Sequence, residues 1–184
     1  MIDLTRPSPE VARSLIGALL TFDGVGGVVV ETEAYDIDDA ASHAFSGPTV
    51  RNAPMFGPIG RAYVYRSYGL HWCLNLVCGP HPGAAVLFRA LEPTEGLDRM
   101  IARRGLTDVH KLAAGPGRLC QAMAIDAGHN NLPMAEPPFR LEPAPGPIKV
   151  IEGPRIGITK AVDLPWRYGL AGSRFLSRPF RSIV

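Results

Sequence analysis

The sequence predicts an α+β fold: a single domain over residues 1–184, built on a curved, mostly antiparallel β-sheet with flanking helices and long loops. Three observations carry that expectation. Strand-like stretches at 62–66, 70–78 and 84–91 follow one another across short turn sequences, as hairpins do and parallel crossovers do not. Apolar residues at helical spacing occur only in a few separated places, so helices flank the sheet rather than alternate with its strands. The length suits one domain, and 20 glycines and 18 prolines predict many turns and irregular loops.

Taken in order, Ser8-Pro9-Glu10 spells a helix start, with Ser as N-cap, Pro at the first helical position and an acid in the first turn. Val11, Leu15 and Leu19, with Ile16 beside them, form one apolar stripe to pack on the sheet. Residues 18–22 lead through Asp23-Gly24-Val25-Gly26-Gly27 into 28–32, a predicted hairpin. These glycines fit neither GxGxxG nor GxxxxGK, which excludes a phosphate loop of those types. Strand alternation puts Val29, Glu31, Glu33 and Tyr35 on one face and Val28, Val30, Thr32 and Ala34 on the other. A face of carboxylates and a tyrosine, backed by an apolar face, has the character of a site. Residues 36–60 show little periodicity; so long a loop is usually functional or holds short helices.

The next three strands group Tyr63 with Tyr65, then His71 with Cys73 and Asn75, then Leu87 with Arg89 and Leu91. Tyr68-Gly69 forms the first turn between them and residues 79–83 the second. Arg89, in the apolar run AAVLFRAL, is costly unless it meets a carboxylate or a hydrogen-bonded water. Thr94 is expected to cap a helix through Arg104, with Glu95 in its first turn and Arg103 and Arg104 in its last. Gly115-Pro116-Gly117 precedes a helix that turns Leu119, Ala122 and Met123 inward; such a start serves equally as a phosphate cradle or as a tight turn. Short strands are expected at 139–141, 148–151 and 156–158, and WRYGLAGSRFL ends the sheet.

Net charge is only +2, but its distribution is segregated. Residues 40–91 contain no Asp or Glu, where the overall frequency predicts about five. They hold Arg51, Arg61, Arg66 and Arg89, and four of the five tyrosines lie between 35 and 68. A second acid-free run, 164–184, carries Arg167, Arg174, Arg178 and Arg181. Between them in character stand Glu31, Glu33, Asp36, Asp38 and Asp39. A polyanion could lie on the basic segments and meet a catalytic acid. Cys73, Cys78 and Cys120 lack CxxC spacing and are odd in number, which suits reduced thiols. No apolar run is long enough to span a bilayer, and MIDLTRPSPE has no signal core, so neither a membrane location nor secretion is expected. His71, His81, His110 and His129 are scattered without metal-ligand spacing, so no metal site is predicted.

Together these residues resemble the alkyladenine (3-methyladenine) DNA glycosylase family. The resemblance runs from ARSLIGALL to RYGLAGSRFLS through VETEAY (30–35), ASHAF with RNAPMF (41–56), YVYRSYG and CLN (63–75), VLFRALEP (86–93) and GPGRLCQA (115–122). Two positions depart from the family pattern: Ala114 replaces a small polar residue and Val50 replaces a common proline.

The resemblance implies a monofunctional enzyme of base excision repair, with no lyase step and no cofactor. Its substrate would be double-stranded DNA holding a damaged purine: 3-methyladenine or 7-methylguanine, extending to hypoxanthine and ethenoadenine. It implies Glu33 as the base that activates water, helped by Arg89 and the backbone carbonyl of Ile156. Tyr35, His43 and Tyr65 would form the base pocket. Tyr68 would wedge into the duplex, and Asn75 would crowd out the guanine amino group. A monomer is expected, in the cytoplasm on the bacterial nucleoid, or in the nucleus of a eukaryote.

The chemistry supports such roles independently. A stacked base must be extruded before attack, a side chain at a hairpin turn can fill the gap, and aromatic rings attract electron-poor alkylated purines. Alternation alone does not separate Glu31 from Glu33. Lys111, Lys149 and Lys160 stand away from the motifs in sequence, which argues against a Schiff-base step. Two other readings stand: a catalytically silent nucleic-acid-binding module of the same fold, and a hydrolase of free nucleosides, whose binding would be insensitive to salt.

Overall fold

In the computed structural model, which describes residues 2–180, eight strands form one sheet with the path β3-β4-β5-β2-β1-β6. The strands are β1 (Leu19–Phe22), β2 (Val25–Tyr35), β3 (Ala62–Ser67), β4 (His71–Cys78), β5 (Ala84–Glu95), β6 (Phe139–Glu142), β7 (Val150–Gly153) and β8 (Arg167–Leu170). Every strand pair is antiparallel, and β3-β4-β5 is the predicted run of hairpins. The α+β expectation holds. β2 is the axis of the molecule. One side pairs with β5 along most of its length; the other pairs with β1 at its start and with β8 over Glu31–Glu33. The sheet therefore forks where the two glutamates stand.

Among the described residues four helices flank the sheet: α1 (Ser8–Ser14), α2 (Leu97–Arg104), α3 (Val109–Leu112) and α4 (Pro116–Met123). The main core gathers Val11, Leu15, Leu74, Phe88, Leu91 and Leu119 from helices and strands on one face of the sheet. A smaller cluster of Ala44, Met55, Tyr63, Val77 and Ala85 packs the long 36–60 loop, with its 3-10 turn Ala53–Phe56, against the other face. That second face carries the cavity described below.

Several local expectations are corrected. Pro7, not Ser8, occupies the cap position of α1, and the Ser8 hydroxyl instead donates to Asp36 at 3.1 Å. The first hairpin turns at Asp23-Gly24, so Gly26 and Gly27 lie inside β2. There they permit close approach: a Cβ on Gly27 would meet the Glu92 carbonyl oxygen at 1.9 Å. β5 runs through Thr94 to Glu95, and α2 is preceded by left-handed Gly96 with no side-chain cap. Residues 156–158 form no strand, and α3 had no counterpart in the sequence reading.

Strict alternation fails where β2 pairs with β5. β2 and β5 both slip in register around Val29/Glu31 and Glu31/Thr32, where Ala90 faces Glu31. Such an irregularity reverses the side-chain order beyond it. Val29 consequently joins Ala34 in the main core rather than the glutamates, and Leu91 joins Phe88 there rather than Arg89. Arg181 of the second basic run lies outside the described residues. Among the described residues no helix is long and apolar enough to cross a membrane.

Gly27→Ala is expected to destabilise the fold by about 3 kcal/mol, because the new methyl must displace backbone. Thermal denaturation should show a midpoint lowered by about 6–12 °C.

Candidate active site

Strand β2 delivers Glu31 and Glu33 in fully buried positions, and β5 delivers Arg89 between them. The Arg89 Nε donates to Glu31 at 3.1 Å and its Nη1 to Glu33 at 3.2 Å. This resolves the charge of Arg89 in an apolar strand: it is the counter-ion of two buried carboxylates. Glu33 accepts two further bonds, from the Tyr35 hydroxyl at 2.9 Å and the Ile156 amide at 2.7 Å. Arg89, Tyr35 and Ile156 all line a cavity of about 700 Å³, and Glu33 lies one hydrogen bond behind its wall. Glu31 is bound differently. Its Oε1 accepts from Arg89, from the Arg167 Nε at 2.7 Å and from the Ser177 hydroxyl at 2.8 Å, while its Oε2 accepts from the Ser177 amide.

Burial pushes the Glu33 carboxyl above the ordinary glutamate value, and the opposing pull of Arg89, the Ile156 amide and Tyr35 does not fully offset it. Arg89 by itself favours the ionised form, but burial is the larger effect. Burial, and then the charge of Glu33, push the Tyr35 phenol far above its usual value, so Tyr35 remains a donor at every physiological pH.

The remaining predicted residues gather on the cavity. Tyr65 on β3, Asn75 on β4 and His43 from the loop line it, together with Tyr63, Cys73 and Leu87. Alternation groups Tyr63 with Tyr65 on β3 and Cys73 with Asn75 on β4 as the structure does, since these two strands pair without a slip. The Tyr63 and Tyr65 rings stack at 5.4 Å, and His43 meets Tyr65 edge-on at 4.5 Å. His43 Nδ1 lies 3.0 Å from the Tyr63 hydroxyl. Partial enclosure and then the charge of Arg51 lower the His43 pKa, so the ring is neutral at pH 7. The Asn75 amide is fixed by a 2.9 Å bond to the Tyr63 carbonyl. Tyr68 sits at the cavity mouth on the β3-β4 turn, 84% exposed, with positive φ at both Tyr68 and Gly69. A turn with two such residues suits the twist of a tight hairpin and holds the ring away from the surface.

A family match runs over residues 2–174, to methylpurine-DNA glycosylase. The chain belongs to the methylpurine-DNA glycosylase family. It is similar to three bacterial proteins provisionally named 3-methyladenine DNA glycosylase. That of Nitrosospira multiformis is 61% identical over 98% of this chain and 94% of its own length. Those of Rhodopseudomonas palustris strain HaA2 and Bradyrhizobium diazoefficiens are 58% and 57% identical, over 94% and 93% of this chain and 86% of each relative. The protein is accordingly a DNA glycosylase, a hydrolase whose substrate is DNA.

Several residues around this candidate site were not expected from the sequence. Lys160 lies on the cavity rim with Thr159, so lysine is close in space although distant in sequence. Arg155 forms a buried pair with Asp39, bonds the Ala34 carbonyl at 2.9 Å, and stacks over the Tyr35 ring at 4.7 Å. A neighbouring cavity of about 440 Å³ is lined by His71, Gly117, Arg118 and Arg178 and shares Arg89 and Ile156 with the first. Arg167 carried the same signal as Arg89, a lone arginine in a short apolar strand.

Arg155→Ala leaves the Asp39 carboxylate buried without its cation and is expected to cost about 3–5 kcal/mol. Denaturant unfolding measures it, and the double variant Arg155→Met with Asp39→Asn should recover most of the loss.

Proposed function

We propose that this glycosylase extrudes alkylated purines from duplex DNA into the 700 Å³ cavity and hydrolyses the N-glycosidic bond with water activated by Glu33. One observation carries the reading: the donors that hold Glu33 are all groups of the cavity wall. Among the described residues the Ile156 amide is the one donor to Oε1 of Glu33, and the remaining lone pair of that oxygen is the one we assign to the attacking water. As that water attacks the sugar C1′, its proton passes to Glu33, and the electrons of the C1′–N bond pass to the departing purine. An alkylated purine already carries a positive charge, so it leaves neutral without a dedicated acid. This chemistry needs one carboxylate where glycosidases generally need two.

Tyr35 and Tyr65 supply aromatic faces for the extruded base, each worth roughly 1–3 kcal/mol. Arg89 keeps a positive charge beside Glu33 and so favours its ionised form. His43, neutral, is able to accept as well as donate toward the base. Asn75, fixed by Tyr63, crowds a guanine amino group. Tyr68 fills the vacated stack, and the Ile156 carbonyl is a further acceptor for the water. We read the protein as a monomer acting on damaged duplex DNA by hydrolysis alone. Exposed Lys160 stands at the rim, while the carboxylate lies behind the wall.

Glu33→Gln is expected to lower single-turnover excision of 3-methyladenine by at least about 10³-fold while lesion binding persists. Excision at the wild-type rate would sink the assignment. The sign of the pH dependence follows from the raised carboxyl: activity falls as pH drops, with a midpoint above the ordinary glutamate value of about 4.3. Glu33 is protonated on that acid side and ionised above it. Tyr68→Ala should weaken extrusion about tenfold, read from the fluorescence of a reporter base; unaltered extrusion would remove the wedge role.

A further inference from the structure

The Glu33 reading leaves a second buried carboxylate unexplained. Glu31 does not line the cavity, yet it takes four hydrogen bonds from three separate parts of the chain. Two come from arginines and two from Ser177, beyond the last strand. Arg167 itself is tied to that segment, because its Nη2 donates to the Arg178 carbonyl and its guanidinium lies 3.9 Å from the Phe180 ring centre. The carboxyl-terminal segment is thus strapped across β8 onto Glu31. Gly169 admits the strap, since a Cβ there would meet Phe180 at 2.5 Å.

We infer that Glu31, Arg167 and Ser177 are positioning residues that aim Arg89 at Glu33, so that the carboxyl-terminal strap completes the catalytic site. The inference rests on Glu33 being the base. Arg89 has one positive charge and two carboxylates to serve, through Nε and Nη1 respectively. Arg167 supplies a second cation to Glu31 at 2.7 Å, and Ser177 supplies two neutral donors. With its charge met from that side, Glu31 acts as a fixed anchor for the Nε edge of Arg89 and leaves Nη1 for Glu33. Without Arg167, Glu31 draws Arg89 toward itself, and the carboxylate of Glu33 loses positive potential. The other polar groups around Glu33 are Tyr35, Tyr65, Cys73 and Arg155. Of these only Arg155 is a cation at neutral pH, and it is committed to Asp39.

The test is the pH profile of single-turnover excision on duplexes carrying 3-methyladenine. In Arg167→Gln the acid limb should move up by about one pH unit, an approximately tenfold loss below the midpoint. The rate should recover toward its plateau at high pH, and duplex affinity should be unaltered. Arg167→Lys should restore part of the displacement, because the charge returns without the guanidinium fork. Ser177→Ala, which keeps the backbone donor, is the milder variant should Arg167→Gln fold poorly; its limb should move the same way, by roughly threefold in rate below the midpoint. A folded Arg167→Gln or Ser177→Ala with the wild-type acid limb overturns the inference, as does a loss of rate uniform across pH. Failure of the Glu33 reading is separate, since it appears as an active Glu33→Gln in an otherwise unaltered chain.

Discussion

A carboxylate taken out of water must be given donors and a counter-charge, and β2 takes two of them out of water two residues apart. Much of the architecture follows from meeting that cost. β5 runs beside β2 and brings Arg89 between the pair. β8 occupies the other side at the same level and brings Arg167 to Glu31. Ile156, ahead of β8, and Ser177, beyond it, donate backbone amides to Glu33 and Glu31 respectively. Segments more than 140 residues apart therefore meet on one carboxylate. The charges in this cluster balance, two glutamates against two arginines, which is why it can sit under the sheet at all.

The same site explains the break in the sheet's alternation. A regular β2-β5 ladder would aim every second residue at the cavity side. Instead both strands slip where Glu31 and Arg89 stand, and Val29 and Leu91 turn back into the main core. Bulges commonly lie beside active sites because they re-aim a side chain without shortening the strand. Here they allow one strand to be core at its start and site at its end.

That division marks what was legible in the residues. Tyr63, Tyr65, Cys73 and Asn75 were grouped by alternation alone, because β3 and β4 pair without a slip. Val29 and Leu91 were misplaced because a bulge in a run such as VVVETEAY leaves no compositional trace. The roles of Glu31 and Glu33 could not be separated by a period of two. They separate only in space, by their donors: Glu31 is held by Arg167 and Ser177, both far along the chain, and Glu33 by groups of the cavity wall. Helix starts failed for a simpler reason. Ser8 and Thr94 are good caps by type, but Pro7 and left-handed Gly96 set the entry of the chain, and Ser8 found Asp36.

The low net charge of +2 conceals two different electrical environments, and burial is what keeps them apart. Glu31, Glu33 and Asp39 are buried and paired, so they add little negative potential at the surface. Arg51, Lys160, Arg118 and Arg178 line the two cavities near their openings. A polyanion approaching through salt feels charges within a Debye length of about 8–10 Å, which here means the rim. Under the proposed reading a purine drawn inside instead meets tyrosine faces, with Glu31 and Glu33 behind them balanced by Arg89 and Arg167, where screening by salt is weak. The backbone of DNA and the damaged base are then recognised by different means, a cationic rim for the one and aromatic faces for the other. The Arg89 pairing is what permits both at once, since it neutralises the buried carboxylates and keeps them from opposing the cationic rim.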